Sequence, residues 1–293
     1  MLDFLKLKIS YLFLNKFIVK FISWLVNIQV TWLTKLFIKL FIWFYKIDMS
    51  EVKESNIEKY KNFNDFFARP LKEGMRPIDN DIKSIVFPAD GKIFQLGCIK
   101  YNILLQAKKK YYTLESLLAG DEKMAEKFYN GKYISIYLHP SNYHRVHMPY
   151  TGIIRKIIYV PGEHYLLNTV SINNVKNLYA RNERVICYFE TEIGPMIQIL
   201  VGAAMVGSIE ILKKGTIIPP REGVIKKWNF SKDHVSNYQN FLLKGQEMGK
   251  FKIGSTVISL FSSNNNMRIL SHLTVNSLTR VGKPFAVHSY KSK

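Results

Sequence analysis

From Ile85 onward the chain is written as short apolar runs punctuated by Gly, Pro and Asn: IVFPADGKIFQLG, GKYISIYLHP, GIIRKIIYVPG and RVICYFETEIGPMIQILVGAAMVGSIEIL. Runs of this length, rich in Ile, Val, Tyr and Phe and closed by turn residues, read as strands, mostly paired antiparallel. TVISLF, Thr256–Phe261, is of the same kind, and it is entered through Gly254 and Ser255. Helical periodicity is clearest over Thr113–Phe128, with Thr113 as a candidate N-cap. Ser50–Ile78 starts helix-like and ends in Pro-bounded loops. The expected fold class is α+β: a mainly antiparallel β domain preceded by N-terminal amphipathic helices.

Those helices come from residues 11–47, the most apolar part of the chain. A membrane-spanning helix needs about 20 apolar residues. The longest uncharged run here is only Phe21–Thr34, bounded by Lys20 and Lys35. Lys16, Lys20, Ser23, Asn27, Thr31 and Thr34 step by three or four and so share one helix face. Phe17, Ile18, Phe21, Leu25, Ile28 and Trp32 take the other, a pattern that predicts helices lying on a membrane surface rather than crossing it. Gln29 and Lys35 blur the stripe and allow a break between two helices. No small-residue cleavage site follows the apolar run, so a secretory signal is not expected. The division expected is residues 1–60 as the membrane-associating helical region and 61–293 as the β-rich domain.

Composition adds the partner. At 47 % hydrophobic the chain has enough apolar surface to fold, and a net charge of +20 calls for an anionic lipid or a nucleic acid. The lysines are scattered among apolar residues and no nucleic-acid module is present, which argues against the second. Cys98 and Cys187 are far apart and form no CxxC pair, as suits a reducing compartment.

Chemistry-bearing residues fall in separate segments. PADGKI holds Asp90 before Gly91, which read locally is a tight turn. YLHPSNYHRVHMP carries His139, His144 and His147, and FKIGST carries Ser255. A serine, a histidine and an aspartate are the ingredients of an activated nucleophile, in whatever chain order. Two rivals stay open on residues alone. One is a metal-dependent hydrolase built on the three histidines, although zinc wants a third protein ligand and a water and no acidic or Cys partner is evident. The other is a non-enzymatic basic membrane-binding or nucleic-acid-binding protein.

FNDFFARPLKEGMRPI, PADGKI, YHRVHMPYTG, YVPGEHYLLN, ARNERVI, VGAAMVGSIE, PPREG and KGQEMGKFKIGST together resemble bacterial phosphatidylserine decarboxylases, in order and over almost the whole chain. Ile253 stands where that family usually has Leu, and Asn142 where Asp is common. The resemblance implies a proenzyme that cuts itself between Gly254 and Ser255, giving a β chain 1–254 and an α chain 255–293. It implies Ser255 as nucleophile, His147 as base and Asp90 as the residue that orients the imidazole. Ser255 would become a pyruvoyl group, the cofactor, which forms a Schiff base with the amine of phosphatidylserine and leads to phosphatidylethanolamine and CO2. His144 is the candidate for contacting the carboxylate or supplying the proton, and no metal is called for. The partners implied are phosphatidylserine in an anionic membrane and the two cleaved chains, in a homodimer. The place implied is the cytoplasmic side of the inner membrane, peripherally bound.

Overall fold

The apolar runs become strands, and every strand pairing between them is antiparallel. The computed structural model describes residues 24, 26–107, 110–203, 208–218, 222–251, 255–263 and 266–289, with Ser255 entering through its backbone only. The proposed membrane-face residues Lys16, Phe17, Ile18, Lys20, Phe21, Ser23 and Leu25 lie outside the described residues, as does Gly254. The strands are β1 (Ser84–Val86), β2 (Gly91–Cys98), β3 (Ile103–Ala107), β4 (Lys110–Thr113), β5 (Lys132–Leu138), β6 (Arg145–His147), β7 (Gly152–Val160), β8 (Arg184–Glu190) and β9 (Met196–Gly202). They continue with β10 (Ile209–Ile211), β11 (Gly215–Ile218), β12 (Lys226–Asn229), β13 (Phe241–Leu242), β14 (Glu247–Phe251), β15 (Ser255–Phe261), β16 (Met267–Ile269), β17 (Leu278–Thr279) and β18 (Pro284–His288).

A nine-stranded sheet runs β12-β7-β8-β9-β15-β5-β2-β17, with β13 also paired to β7. Its central strand β15 pairs with β5 on one side and β9 on the other from Ser255 to Phe261. Thr256–Phe261 are buried on both faces, which is why this strand reads as a continuous apolar run and not as an alternating one. A four-stranded sheet, β11-β10-β14-β6, stands beside it, and a three-stranded sheet, β1-β18-β16, adds a third layer.

Three neighbouring strands of the large sheet are continuous in sequence with three neighbouring strands of the four-stranded sheet. Strand β5 leads to β6, β9 leads to β10, and β14 leads to β15. In the large sheet Leu138 and Gly202 flank Ser255 in register. In the small one Arg145 and Glu210 flank Lys250. The chain therefore steps between sheets three times along one seam.

Helices are short apart from α1 (Thr31–Tyr45). The expected helix over Thr113–Phe128 is two helices, Leu114–Leu117 and Glu122–Glu126, because Ala119 and Gly120 both adopt positive φ. Thr113 does cap the first, its Oγ1 accepting from Ser116 N, and Asp121 caps the second. Of the helix-like start at Ser50, only a 3-10 turn at Ile57–Lys59 forms. The motif FNDFFARP makes α2 (Phe63–Phe67): Asn62 Oδ1 accepts from Asp65 N at the start, and Pro70 forbids continuation. Phe41 of α1 packs edge-on against Phe63, Phe66 and Phe67, joining the two helices.

Of the expected polar stripe, Thr34 is turned inward while Asn27 and Thr31 stay exposed. A break at residues 27–30 precedes α1. Asn27 Oδ1 accepts from Asn64 Nδ2, and buried Thr34 donates to the Ile28 carbonyl. The outward face of α1 instead carries Trp32, 68 % exposed, Leu36, Leu40 and Trp43, 76 % exposed. Among the described residues no helix is long and apolar enough to cross a membrane.

Candidate active site at the seam between the sheets

Strand β14 ends at Phe251, whose N–H donates to the carbonyl of His144 at 3.0 Å. Four residues later the chain re-enters the large sheet at Ser255, beside Leu138. Between Leu138 and β6 lie His139 and His144, and His147 closes β6 opposite Glu247. The seam thus brings the His-rich segment alongside the two ends that residues 252–254 connect.

His147 is part-buried and held at both nitrogens. Nδ1 lies 2.8 Å from the carbonyl of Gly245, which can only accept, so Nδ1 carries the proton. Nε2 then accepts from the Tyr143 hydroxyl at 3.0 Å. Burial lowers the His147 pKa below the ordinary imidazole value, against an opposing pull from the Gly245 carbonyl. Gly245 has φ of +79°, and a Cβ there would meet the Ile78 side chain at 2.5 Å. Only glycine can aim this carbonyl at the ring without strain.

Asp90 is not joined to His147 by a hydrogen bond in this structure. One carboxylate oxygen accepts from Val281 N at 2.8 Å, and the other from Arg76 Nε and Nη2 at 2.9 and 2.6 Å. Arg76 also reaches Glu51 at 2.8 Å, and its guanidinium sits over the Tyr143 ring. Asp90 acts on His147 through space, favouring the imidazolium. Gly91 does not form the turn expected of Asp90-Gly91; it opens β2, where a Cβ would lie 2.1 Å from the Tyr137 carbonyl oxygen. That close approach fixes where Asp90 leaves the sheet.

His144 is fully inside. Its ring lies 4.1 Å, centroid to centroid, from Phe67 of α2, and Nδ1 donates to the Asn142 carbonyl at 2.8 Å. Nε2 is buried with no hydrogen-bond partner, and burial lowers the pKa to about 3. Such an imidazole rests neutral, with a free lone pair on Nε2. The third histidine, His139, holds Ser141 Oγ at 2.8 Å and packs against Tyr45 at the end of α1. Among the described residues no three His, Cys, Asp or Glu side chains are grouped to hold a metal ion.

Comparison with known proteins bears on what this seam does. The phosphatidylserine decarboxylase family profile matches residues 63–286, which include α2, both sheets and the seam. The chain belongs to the phosphatidylserine decarboxylase family. It is 49 % identical over 287 residues to the phosphatidylserine decarboxylase proenzymes of Salmonella paratyphi B, Salmonella newport and Salmonella dublin. Each match covers 98 % of this chain and 88 % of the relative. Family membership accounts for the motifs that pattern alone left as turns and loops. Sequence reasoning passed over Tyr143, Arg76 and Gly245, which hold His147 and Asp90. Tyr143 lies inside the YHRVH motif and Gly245 inside KGQEMG, so the signal for both was their place in the family's motifs.

Proposed function

We infer that this chain cuts itself between Gly254 and Ser255 and then decarboxylates phosphatidylserine to phosphatidylethanolamine. The observation that carries this reading is the position of Ser255. It stands at the mouth of the central strand, at a step between two sheets, next to the segment bearing His144 and His147. Residues 61–293 make the catalytic domain, and residues 1–60 hold it at the bilayer.

Ser255 is the nucleophile, and attack of its hydroxyl on the Gly254 carbonyl exchanges an amide for an ester. A hydroxyl is a weak nucleophile at neutral pH, so the proton must be taken by a base. His147 is that base, kept neutral by burial and fixed in one tautomer by Gly245. Asp90, anchored by Arg76, stabilises the imidazolium that forms. Elimination across the Cα–Cβ bond of residue 255 releases Gly254 as a carboxylate, and water then replaces nitrogen at that Cα with loss of ammonia. The unpartnered Nε2 of buried His144 beside this seam is an open acceptor, which suits the amine that a carbonyl at position 255 would take up. Once formed there, the pyruvoyl group supplies a carbonyl for the substrate amine and a sink for the electrons of the broken bond.

His144 follows from its tautomer. With Nδ1–H committed to Asn142, Nε2 can accept a proton but not donate one. It takes the proton that the substrate ammonium must lose, and returns it to the carbon that CO2 leaves. In this reading the seam works at headgroup level on an anionic membrane, peripherally and on the cytoplasmic side, and the processed chains pair as a homodimer; the outward Trp32 and Trp43 of α1 support the membrane contact.

Intact mass spectrometry of the purified protein tests the reading. Two chains, 1–254 and a blocked 255–293, together with CO2 released from phosphatidylserine, are expected. His147→Ala should stay uncut, since a positioned general base contributes about 100-fold or more. A single uncut wild-type chain that releases no CO2 overturns the reading.

A further inference from the structure

Arg69 follows α2 and is only 4 % exposed, yet no carboxylate lies within ion-pairing distance of it among the described residues. Its Nη2 donates to the Ser141 carbonyl at 3.2 Å, its Nη1 makes a long 3.5 Å contact to the Phe67 carbonyl, and its Nε has no partner. A guanidinium presents five donors, and buried ones are normally matched by carboxylates. The group lines a cavity of about 180 Å3 with Arg76, Asp90, Ser141, Asn142 and Tyr143. Two further carboxylates, Asp48 and Glu51, border it. Arg76 holds Asp90 and Glu51 and Arg280 holds Glu51 at 2.9 Å, while Asp48 accepts from Ser50 N at 2.8 Å. Arg69 is the cation left over. Burial lowers its pKa to about 10, opposed only by the Tyr60 phenol and by no carboxylate.

Its position in the fold tells which anion it serves. The guanidinium lies 5.2 Å over the Phe66 ring, and Phe66 packs on Phe41 of α1, the helix with the exposed tryptophans. On its other side it grips the segment that carries His144. Arg69 therefore stands between the bilayer-facing helix and the reacting centre. In a phospholipid the phosphodiester occupies that same place, between the glycerol and the amine-bearing carbon. The substrate carboxylate is the poorer match. Its charge disappears as CO2 forms, so a guanidinium on it would stabilise the ground state more than the transition state. The phosphodiester keeps its charge throughout, and binding it helps both states equally.

We propose that Arg69 binds the phosphodiester of the lipid substrate, through the polar cavity at the end of α2. This rests on the decarboxylase reading above and names how that site recognises a phospholipid. Losing charge-assisted hydrogen bonds of this kind costs on the order of ten- to a hundredfold in affinity.

The test uses full-length wild type, Arg69→Gln and Arg69→Lys, each assayed for maturation by intact mass and for turnover of phosphatidylserine in mixed micelles. Inhibition by glycerophosphoethanolamine, which has the phosphodiester but no carboxylate, is measured in parallel. Arg69→Gln is expected to mature normally, with KM raised about tenfold or more and kcat within about threefold. The inhibition constant should rise by the same factor as KM, with Arg69→Lys falling between. An unchanged KM overturns the proposal. So does a raised KM with unchanged inhibition, which would assign Arg69 to the carboxylate. If only the Gln variant fails to mature, the Lys variant decides by the same criteria. If neither matures, Arg69 is a structural cation tying Phe67 to Ser141 and the proposal is overturned. Wild type that matures yet releases no CO2 sinks the activity itself, a different result from any of these.

Discussion

At the scale of single residues the proposed self-cleavage depends on one imidazole being uncharged when it is needed. Burial lowers the His147 pKa, so the ring stays neutral further into acid than a free imidazole does. Self-cleavage should accordingly keep its rate as pH falls towards 6.5 and decline only below that value, the ordinary imidazole range. Arg76 controls where the decline begins. It neutralises Asp90 through two contacts, and Asp90 is one of the charges that favour the imidazolium. In Arg76→Gln that carboxylate is uncompensated, the His147 pKa rises, and the neutral base is available only at higher pH. The acid limb of the cleavage rate, followed by the appearance of the smaller chain, should move to higher pH. An unmoved limb would mean that Asp90 has no hold on the base. His147 and Asp90 were legible only through motifs, and their actual partners were not. Gly245 is recognisable as a position that must be glycine once its φ and the nearness of Ile78 are seen. Nothing in the string KGQEMG shows that its carbonyl meets a histidine nearly a hundred residues earlier.

Among the elements, the strands that were easiest to read are those buried on both faces. TVISLF, KYISIYL and MIQILVG carry enough apolar, β-branched residues to declare themselves, and they turn out to be the three central strands β15, β5 and β9. The four-stranded sheet was legible only at IEI, the end of the run RVICYF to SIEIL, because RVH is too short for a period of two to register and EMGKF has Gly249 in its middle. Yet it is this second sheet that makes the seam, so the site was legible as residues before it was legible as a place. The same topology predicts the fate of the cut chain. Residues 255–293 hold β15 between β5 and β9, β17 beside β2, and β18 between β1 and β16. The small chain is thus laddered into the large one in two different sheets. After maturation the two pieces should co-elute in native size exclusion and separate only in denaturant. Dissociation of the small chain under native conditions would show that these ladders do not survive the cut.

For the molecule as a whole, the question is what covers the outer face of α1. A soluble helix buries its apolar stripe, but here the inward face takes Thr34 and Ile38 while Trp32, Leu36, Leu40 and Trp43 look outward. The sequence pattern predicts an amphipathic helix with its polar stripe towards water; of that stripe Asn27 and Thr31 are exposed, and Thr34 alone among its described members is buried, its hydroxyl on the Ile28 carbonyl. The proposed cover is lipid, which accepts tryptophan and leucine side by side and would let exposed Lys39 reach the headgroups. The net charge of +20 adds attraction to anionic lipid, at about 1 kcal/mol for each basic residue near the surface. The two contributions separate experimentally, because salt screens charge and leaves the hydrophobic term in place. Wild type should bind phosphatidylserine-containing vesicles, less tightly as salt rises. A Trp32→Ala/Trp43→Ala double variant should bind at least about tenfold more weakly at every salt concentration, since each ring contributes on the order of 1 kcal/mol or more of apolar burial. Its self-cleavage should be unchanged, as neither tryptophan is near the seam in sequence or pairing, while turnover of vesicle-embedded substrate falls with the binding. Retention of full vesicle binding by the double variant would assign the membrane contact to another surface and leave the exposed stripe on α1 to a protein partner.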